Sequence, residues 1–373
     1  MKWIGGGLTG GRVAVLAVLL GGIAPVGAEP NIGIFGDVGW ADRSALGKAS
    51  QFGLGALSVY VHDQMDDRTE GFFEYVLEGD GAALNGDLER LYIKRSVGKD
   101  LRFGIGRFHS PIGFWNNHYH HGVLMQDTVS RPAFLEFEDN ATAVLPTHAI
   151  GASLEGEAGA VGYELSLANT VFIDTAAPIA ERTLGVGNFF DMADDKALYA
   201  RVSHEYDDSG AHIGVSYLYN PIVEGAVLGG VDGGSKGQGQ LLVEQTVIGV
   251  DGRYEHQGFS LMGEYFQISN DAEAGVGDGG SHRSTAYYLQ AGYRVAERLL
   301  PTYRFESLVF DAQDGFYTML GREEYTAHVM ALRYEFDDSN AMILEYRASD
   351  GIAPAANPAQ GDSIKLNWSF LLL

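Results

Sequence analysis

The chain is predicted to be all-β, a transmembrane antiparallel up-and-down β-barrel of about sixteen strands. Two observations lead there. Alternation of apolar and polar residues runs to the end of the chain: Ile364, Leu366, Trp368, Phe370 and Leu372 share one face, and Ser363, Lys365, Asn367 and Ser369 the other. Period two describes a strand with one oily and one wet face. The second observation is that connections alternate between tiny turns and very long loops, as they do in barrels with short turns at one rim and long loops at the other. A soluble sandwich shares the first property but not the second.

Taken in order, residues 1–28 read as a cleaved signal peptide. Lys2 and Arg12 supply positive charge, Val13 to Ile23 a short apolar stretch, and Val26-Gly27-Ala28 a small-residue cleavage pattern, so the mature chain would be 29–373. After this stretch no apolar run is long enough to span a bilayer as a helix. A membrane protein of this sequence must therefore be a closed barrel, which satisfies every backbone group internally. The sixteen strands are expected at 31–41, 52–61, 69–78, 87–96, 100–108, 147–157, 159–170, 196–207, 210–220, 244–257, 258–270, 284–298, 299–312, 324–338, 340–350 and 362–372. Compact turns such as Ser96-Val97-Gly98-Lys99 and Asp337-Asp338-Ser339-Asn340 are rich in turn formers. Between them lie long connections at 109–146, 171–195, 221–243, 271–283, 313–323 and 351–361.

Composition excludes several classes. The formal net charge of −24 argues against nucleic-acid binding. The absence of cysteine removes disulfide frameworks, thiol chemistry and lipid-modified cysteine. With 51 glycines and only 10 prolines, in no period of three, the chain is neither collagenous nor disordered. Acidic pairs such as Asp66-Asp67, Asp194-Asp195 and Asp207-Asp208 fall in turns and loops. They read as solvated carboxylates, or as groups bridged by divalent cations to lipopolysaccharide and other outer-membrane lipid headgroups.

Several strands show a lipid-facing row, including Val161, Tyr163, Leu165 and Leu167, and His328, Met330, Leu332, Tyr334 and Phe336. The opposite faces carry Glu164, Arg201, Glu205, Arg304, Glu306, Glu345 and Arg347. Such a charged row is inexpensive in a water-filled lumen and costly in a dry core.

The longest connection, 109–146, follows the fifth strand and is the third long loop. The stretch GRFHSPIGF (106–114) that enters it resembles the glycine, aromatic and proline pattern of phosphate-selective-type porins, and sixteen strands with a long third loop resemble the bacterial outer-membrane porins as a whole. The resemblance implies a Gram-negative outer-membrane location, a homotrimer, a third loop folded into the lumen, and passive diffusion of small hydrophilic solutes without a cofactor. It also implies an acidic loop facing a basic wall. The acidic candidates are Asp127, Glu136, Glu138 and Asp139; the basic ones, by strand parity, are Arg90, Lys94, Arg102, Arg201, Arg253, Arg294, Arg304, Arg333, Arg347 and Lys365. Facing charges would set a transverse field that selects ions; the same residues read equally as cross-strand pairs that hold the wall. The loop has no lysine-rich cluster, so phosphate selectivity is not implied. The chain also ends in Leu371-Leu372-Leu373 where such barrels close on an aromatic residue.

Within this loop, FWNNHYHHG (114–122) concentrates His118, His120 and His121, with His109 and His148 beyond. Histidine tracts suggest zinc or copper, but the spacing fits no ligand motif and no metal is assigned. Phe114, Trp115 and Tyr119 instead offer stacking faces to ring-bearing solutes. For catalysis there is neither a G-x-S-x-G elbow nor a cysteine nucleophile, and the protein is not expected to be an enzyme. A barrel-anchored adhesin acting through its outer loops is the alternative class, and an outer-membrane hydrolase a third.

Overall fold

The computed structural model describes residues 30–42, 49–80, 83–119, 122–187, 191–206, 210–225, 239–351 and 362–372. The expected signal peptide, His120, His121 and Asp207-Asp208 lie outside them. Seventeen strands form one sheet: β1 (Asn31–Asp42), β2 (Gln51–Asp66), β3 (Thr69–Asp80), β4 (Ala83–Ser96), β5 (Leu101–His109), β6 (His148–Ala158), β7 (Val161–Asn169), the two-residue β8 (Phe172–Ile173), β9 (Lys196–Tyr206), β10 (Ala211–Glu224), β11 (Leu241–His256), β12 (Phe259–Ala272), β13 (Ser281–Tyr293), β14 (Leu299–Val309), β15 (Tyr325–Asp337), β16 (Asn340–Asp350) and β17 (Ser363–Leu372). Sixteen are long wall strands, each antiparallel to its neighbours, and β1 closes the cylinder against β17 with Phe35 opposite Leu371 and Gly39 opposite Asn367. The small β8 lies in the 170–195 connection and pairs in parallel with the end of β10. Among the described residues no helix is long and apolar enough to cross a membrane.

The sixteen predicted strands coincide with the sixteen observed ones. They differ in their bounds at both rims: at the short-turn rim β2 runs on to Asp66 and β13 stops at Tyr293. The ninth strand, expected to stop at 220, runs as β10 to Glu224, with Pro221 opposite Glu244. That extension, with the early start of β11 at Leu241, shortens the expected 221–243 loop. The 271–283 loop shrinks likewise, to 273–280.

Alternation sorts the side chains into two faces. Outward, Leu165, Leu167, Val215, Leu289, Met330, Leu332 and Trp368 are exposed, as expected of a lipid-facing row. Inward, register carries one continuous row around the wall: Phe35 sits opposite Ser58, Tyr60 opposite Glu74, Phe72 opposite Tyr92, Arg102 opposite Glu155, Glu164 opposite Arg201, Asp251 opposite Glu264, Tyr288 opposite Glu306, and Glu345 opposite Lys365.

The row is not uniformly wet. Arg304, Glu306, Glu345 and Arg347 are all 0 % exposed, where a water-filled lumen would expose them. The cause is apolar packing from the connections. Phe134, Leu135, Val144 and Leu145 of the 110–147 connection, Ile173 of β8, and Phe316, Tyr317 and Leu320 of the helix α2 (Gly315–Leu320) form a buried cluster with Phe266, Tyr288 and Tyr325 of the wall.

Candidate functional site

The 110–147 connection is rooted by backbone geometry. At Gly106, inside β5 three residues before its end, φ is +143° and an added Cβ would lie 2.1 Å from the carbonyl oxygen of Leu91, so only glycine fits there. Ser110 Oγ donates to the carbonyl of Pro146 (2.6 Å), and Asn116 Nδ2 donates to the carbonyls of Ser110 and Thr147 (2.9 Å each), tying the two ends of the connection together. Gly113, at φ +69°, then brings the backbone against Glu264 of β12.

From there the connection is held by inward carboxylates of β12–β16. Glu264 accepts from the Trp115 backbone N–H (2.6 Å) and from Tyr288 Oη (2.7 Å). Glu345 accepts from the N–H groups of Val129 (2.7 Å) and Ser130 (2.9 Å) and from Ser130 Oγ (2.7 Å). Glu306 accepts from the Ala133 N–H (2.6 Å) and pairs with Arg347. Guanidinium groups contribute from the same wall. Arg304 donates to Thr128 Oγ1 (2.6 Å) and the Ser130 carbonyl (2.8 Å), and Arg333 to the carbonyl of Gln126 (2.8 Å). Charge-assisted hydrogen bonds to backbone are about twice as strong as neutral ones. They also satisfy the polar groups that burial would otherwise leave bare.

The acidic candidates do not form one patch. Asp127 lies toward Gln290 (3.4 Å) and a cavity of about 270 Å³ that it shares with Arg294; burial raises its carboxyl, opposed by Arg333. Glu136 is buried under the influence of Arg131, Lys365 and Arg347. Glu138 closes a seam. The ladder between β4 and β5 ends at Leu91–Arg107. Above it Arg107 donates to the Glu89 carbonyl (2.9 Å), while His148 lies between Glu89 (2.8 Å) and Glu138 (2.7 Å). Burial alone would raise the Glu138 carboxyl, but His148 and Arg107 overcome it and hold it at about 2. Asp139 reaches a mouth cavity of about 490 Å³ lined also by Glu78, Asp87 and Glu89. Burial first, then Glu138 and Asp87, push it up to about 6.

The basic candidates face carboxylates. Arg90 meets Glu74 (2.7 Å), Lys94 and Arg102 both meet Glu155 (2.9 Å each), Arg201 meets Asp251 (2.7 Å), Arg253 meets Glu255 (2.5 Å), Arg294 meets Glu335 (2.5 Å), and Lys365 meets Glu345 (4.0 Å). Arg304 and Arg333 add the same-strand contacts to Glu306 (3.6 Å) and Glu335 (3.1 Å). With Arg304, Arg347, Arg201 and Arg333 at 8 % exposure or less, these four hold structure instead of facing water.

Phe114 and Trp115 are also corrected. They are 2 % and 0 % exposed, so the stacking faces expected of them are covered. Trp115 begins the short helix α1 (Trp115–His118) and meets Tyr288 edge-on at 5.6 Å, while Phe114 stacks on His118 at 3.8 Å. Tyr119 packs edge-on against Trp115 (5.3 Å). Among the described residues, no group of three or more His, Cys, Asp or Glu is placed to hold a metal ion.

Sequence reading missed an inward aromatic row on the opposite wall. Phe35, Tyr60, Phe72 and Tyr92, from β1 to β4, follow one another at centroid distances of 6.3, 6.1 and 5.4 Å. Their signal is present in Phe72-Phe73-Glu74-Tyr75, where aromatics occupy both parities and not the oily one alone. A cavity of about 430 Å³ lies between this row and the loop residues His118, Leu124 and Met125.

This architecture is that of the bacterial outer-membrane porins. Solved structures similar to the chain include an anion-selective porin from Comamonas acidovorans (13 % identity over 92 % of this chain and 100 % of that one, TM-score 0.59). Others are the outer-membrane channel DcaP of Acinetobacter baumannii (10 %, 94 % and 99 %, TM-score 0.60) and OmpT of Vibrio cholerae in trimer form (12 %, 92 % and 99 %, TM-score 0.57). No family model and no curated protein matches the sequence.

Proposed function

We propose that the protein is a porin: a non-enzymatic, cofactor-free channel in the outer membrane of a Gram-negative bacterium, carrying small hydrophilic solutes by passive diffusion. It works as a homotrimer among lipopolysaccharide and outer-membrane lipids, after removal of residues 1–28. One observation carries the reading. The 110–147 connection is hydrogen-bonded through its backbone to Glu264, Glu306 and Glu345 of one wall, while a cavity persists between it and β1–β4. A loop held to one side narrows a channel without plugging it. Its free edge and the charges of β3–β5 then set the selectivity. An adhesin has no need to hold its longest loop on inward carboxylates.

The test is single-channel recording of the refolded protein in a planar bilayer under a KCl gradient. Stable stepwise openings are expected, with larger steps when Asn116–Thr128 is replaced by a short Gly-Ser linker. No conductance from a verified, folded barrel would overturn the channel reading; unchanged steps in the linker variant would overturn the constriction.

A further inference from the structure

Of the inward aromatic row of β1–β4, Tyr92 packs against the buried cluster, while Phe35, Tyr60 and Phe72 stand apart from it. Phe35, Tyr60, Phe72 and Tyr92 are only half-buried. Aromatic rings on the wet face of a membrane wall are left partly uncovered at a cost, since each carries a large apolar surface. Their placement is nonetheless specific. Tyr60 and Phe72 are parallel within 7°, Phe72 and Tyr92 within 11°. Gly33 lies where an added Cβ would be 2.3 Å from the Tyr60 ring, so a side chain there would displace it. Gly122, at the loop's edge, also approaches the row, with an added Cβ 3.0 Å from the Phe35 ring.

Charge is arranged asymmetrically around these rings. The Arg90 guanidinium lies 4.2 Å from the Phe72 centroid and the Lys94 ammonium 4.7 Å from that of Tyr92. Their acidic partners are more deeply placed: the Arg90 side chain is 25 % exposed and that of Glu74 0 %, while Lys94 and Arg102 are 17 % and 49 % exposed against 14 % for the Glu155 they share. At Arg90 the cavity thus meets a cationic head more exposed than the Glu74 carboxylate that also lines it, while further along the wall Glu70, opposite Lys94, keeps 21 % exposure. A bare anion can use the cations but not the rings, and a neutral ring the reverse.

We propose that this row is a stacking subsite for flat aromatic carboxylates, with the solute ring against Tyr60 and Phe35 and its carboxylate toward Arg90. The inference rests on the channel reading above and names the solute class that channel favours. Stacking between aromatic rings discriminates by about fivefold per pair, and a cation beside the ring adds selection for the acid.

The experiment is bi-ionic reversal potentials in planar bilayers, with chloride on one side and benzoate or acetate on the other, for wild type and the double variant Tyr60→Leu, Phe72→Leu. Acetate is the smaller anion, so sieving alone ranks it above benzoate. Benzoate permeability about fivefold above that of acetate is expected in the wild type and not in the variant. Normal chloride conductance with acetate ahead of benzoate in the wild type would overturn the subsite and leave the channel standing. A benzoate preference that survives in the variant would overturn the assignment to these rings. No chloride conductance from the folded wild type would overturn both readings together.

Discussion

The two sides of the barrel differ in what covers their inward residues. On β12–β16 the inward row of Glu264, Arg304, Glu306, Glu345 and Arg347 is sealed beneath the 110–147 connection, and four of these five are fully buried. On β1–β4 the row of Phe35, Tyr60, Phe72 and Arg90 fronts a cavity, and Arg102 of β5 is 49 % exposed. The lesson is that inward charges in a barrel are not one class. Those met by loop backbone become anchors; those left facing a cavity are the ones that, in the channel proposed above, act on the solute.

That contrast breaks most readily on the packed side. Glu306 is 0 % exposed, faces Arg304 and Arg347, and receives the Ala133 N–H. Glu306→Gln should destabilise the barrel by about 3–5 kcal/mol, because it leaves buried cations with one fewer counter-charge. Urea unfolding in detergent micelles measures that loss. The same variant should widen the channel by loosening the loop, read as larger conductance steps.

Glycines on either edge of the loop sharpen the comparison at a smaller scale. Gly113 faces the packed wall at φ +69°, and an added Cβ would fall 1.9 Å from Glu264 Oε2. Gly122 faces the open wall at φ +86°, 3.0 Å from a movable ring. Both substitutions to alanine carry the strain of a left-handed residue, about 1–3 kcal/mol, and Gly113→Ala adds displacement of a buried carboxylate. Urea midpoints should fall further for Gly113→Ala than for Gly122→Ala; the reverse order would contradict the anchoring of the loop at Glu264.

What was legible in the sequence follows from what repeats. Alternation over nine or more residues reports which face meets lipid, so Leu165, Leu289 and Trp368 could be placed without coordinates. Inward parity was legible for the same reason, and Arg304 and Glu345 were assigned to the correct face. Whether an inward residue meets water or a loop depends on contacts more than 150 residues apart in the chain, such as Ser130 with Glu345 (215 residues) or Ala133 with Glu306 (173 residues). No local pattern carries that information. The aromatic row was missed for a different reason. Phe72 and Phe73 are adjacent and equally apolar, so alternation cannot say which one faces lipid until Glu74 opposite Arg90 fixes the parity.

The mouth offers a reversible test. Asp139 opens onto the outer cavity and titrates at about 6, raised by burial and by Glu138, Asp87 and Glu89. It is charged above that pH and neutral below, so the mouth loses a negative charge between pH 7.5 and 5. The potassium-to-chloride permeability ratio should fall across that interval, and Asp139→Asn should reduce this step, leaving the share of the neighbouring Glu78 carboxyl. For stability the sign is that of a raised carboxyl: the folded state holds the proton more tightly than the unfolded chain, so the contribution of Asp139 declines as pH rises from the ordinary carboxylate range to about 6.

The smallest effect on stability belongs to Arg102, on the open side. Its side chain is 49 % exposed and meets Glu155 at 2.9 Å, with Lys94 on the same carboxylate. An exposed ion pair is worth about 0–1 kcal/mol, and the remaining lysine keeps Glu155 paired, so Arg102→Gln should leave the urea midpoint nearly unchanged. Its effect on transport should be separable from that. Removing a cationic head that faces the passage shifts the reversal potential under a KCl gradient toward cation preference. The paired experiment is Arg304→Gln on the packed side, where stability should fall because Thr128 and Ser130 lose their donor. If instead Arg102→Gln unfolds the barrel and Arg304→Gln alters only selectivity, anchor and passage residues have been assigned to the wrong walls.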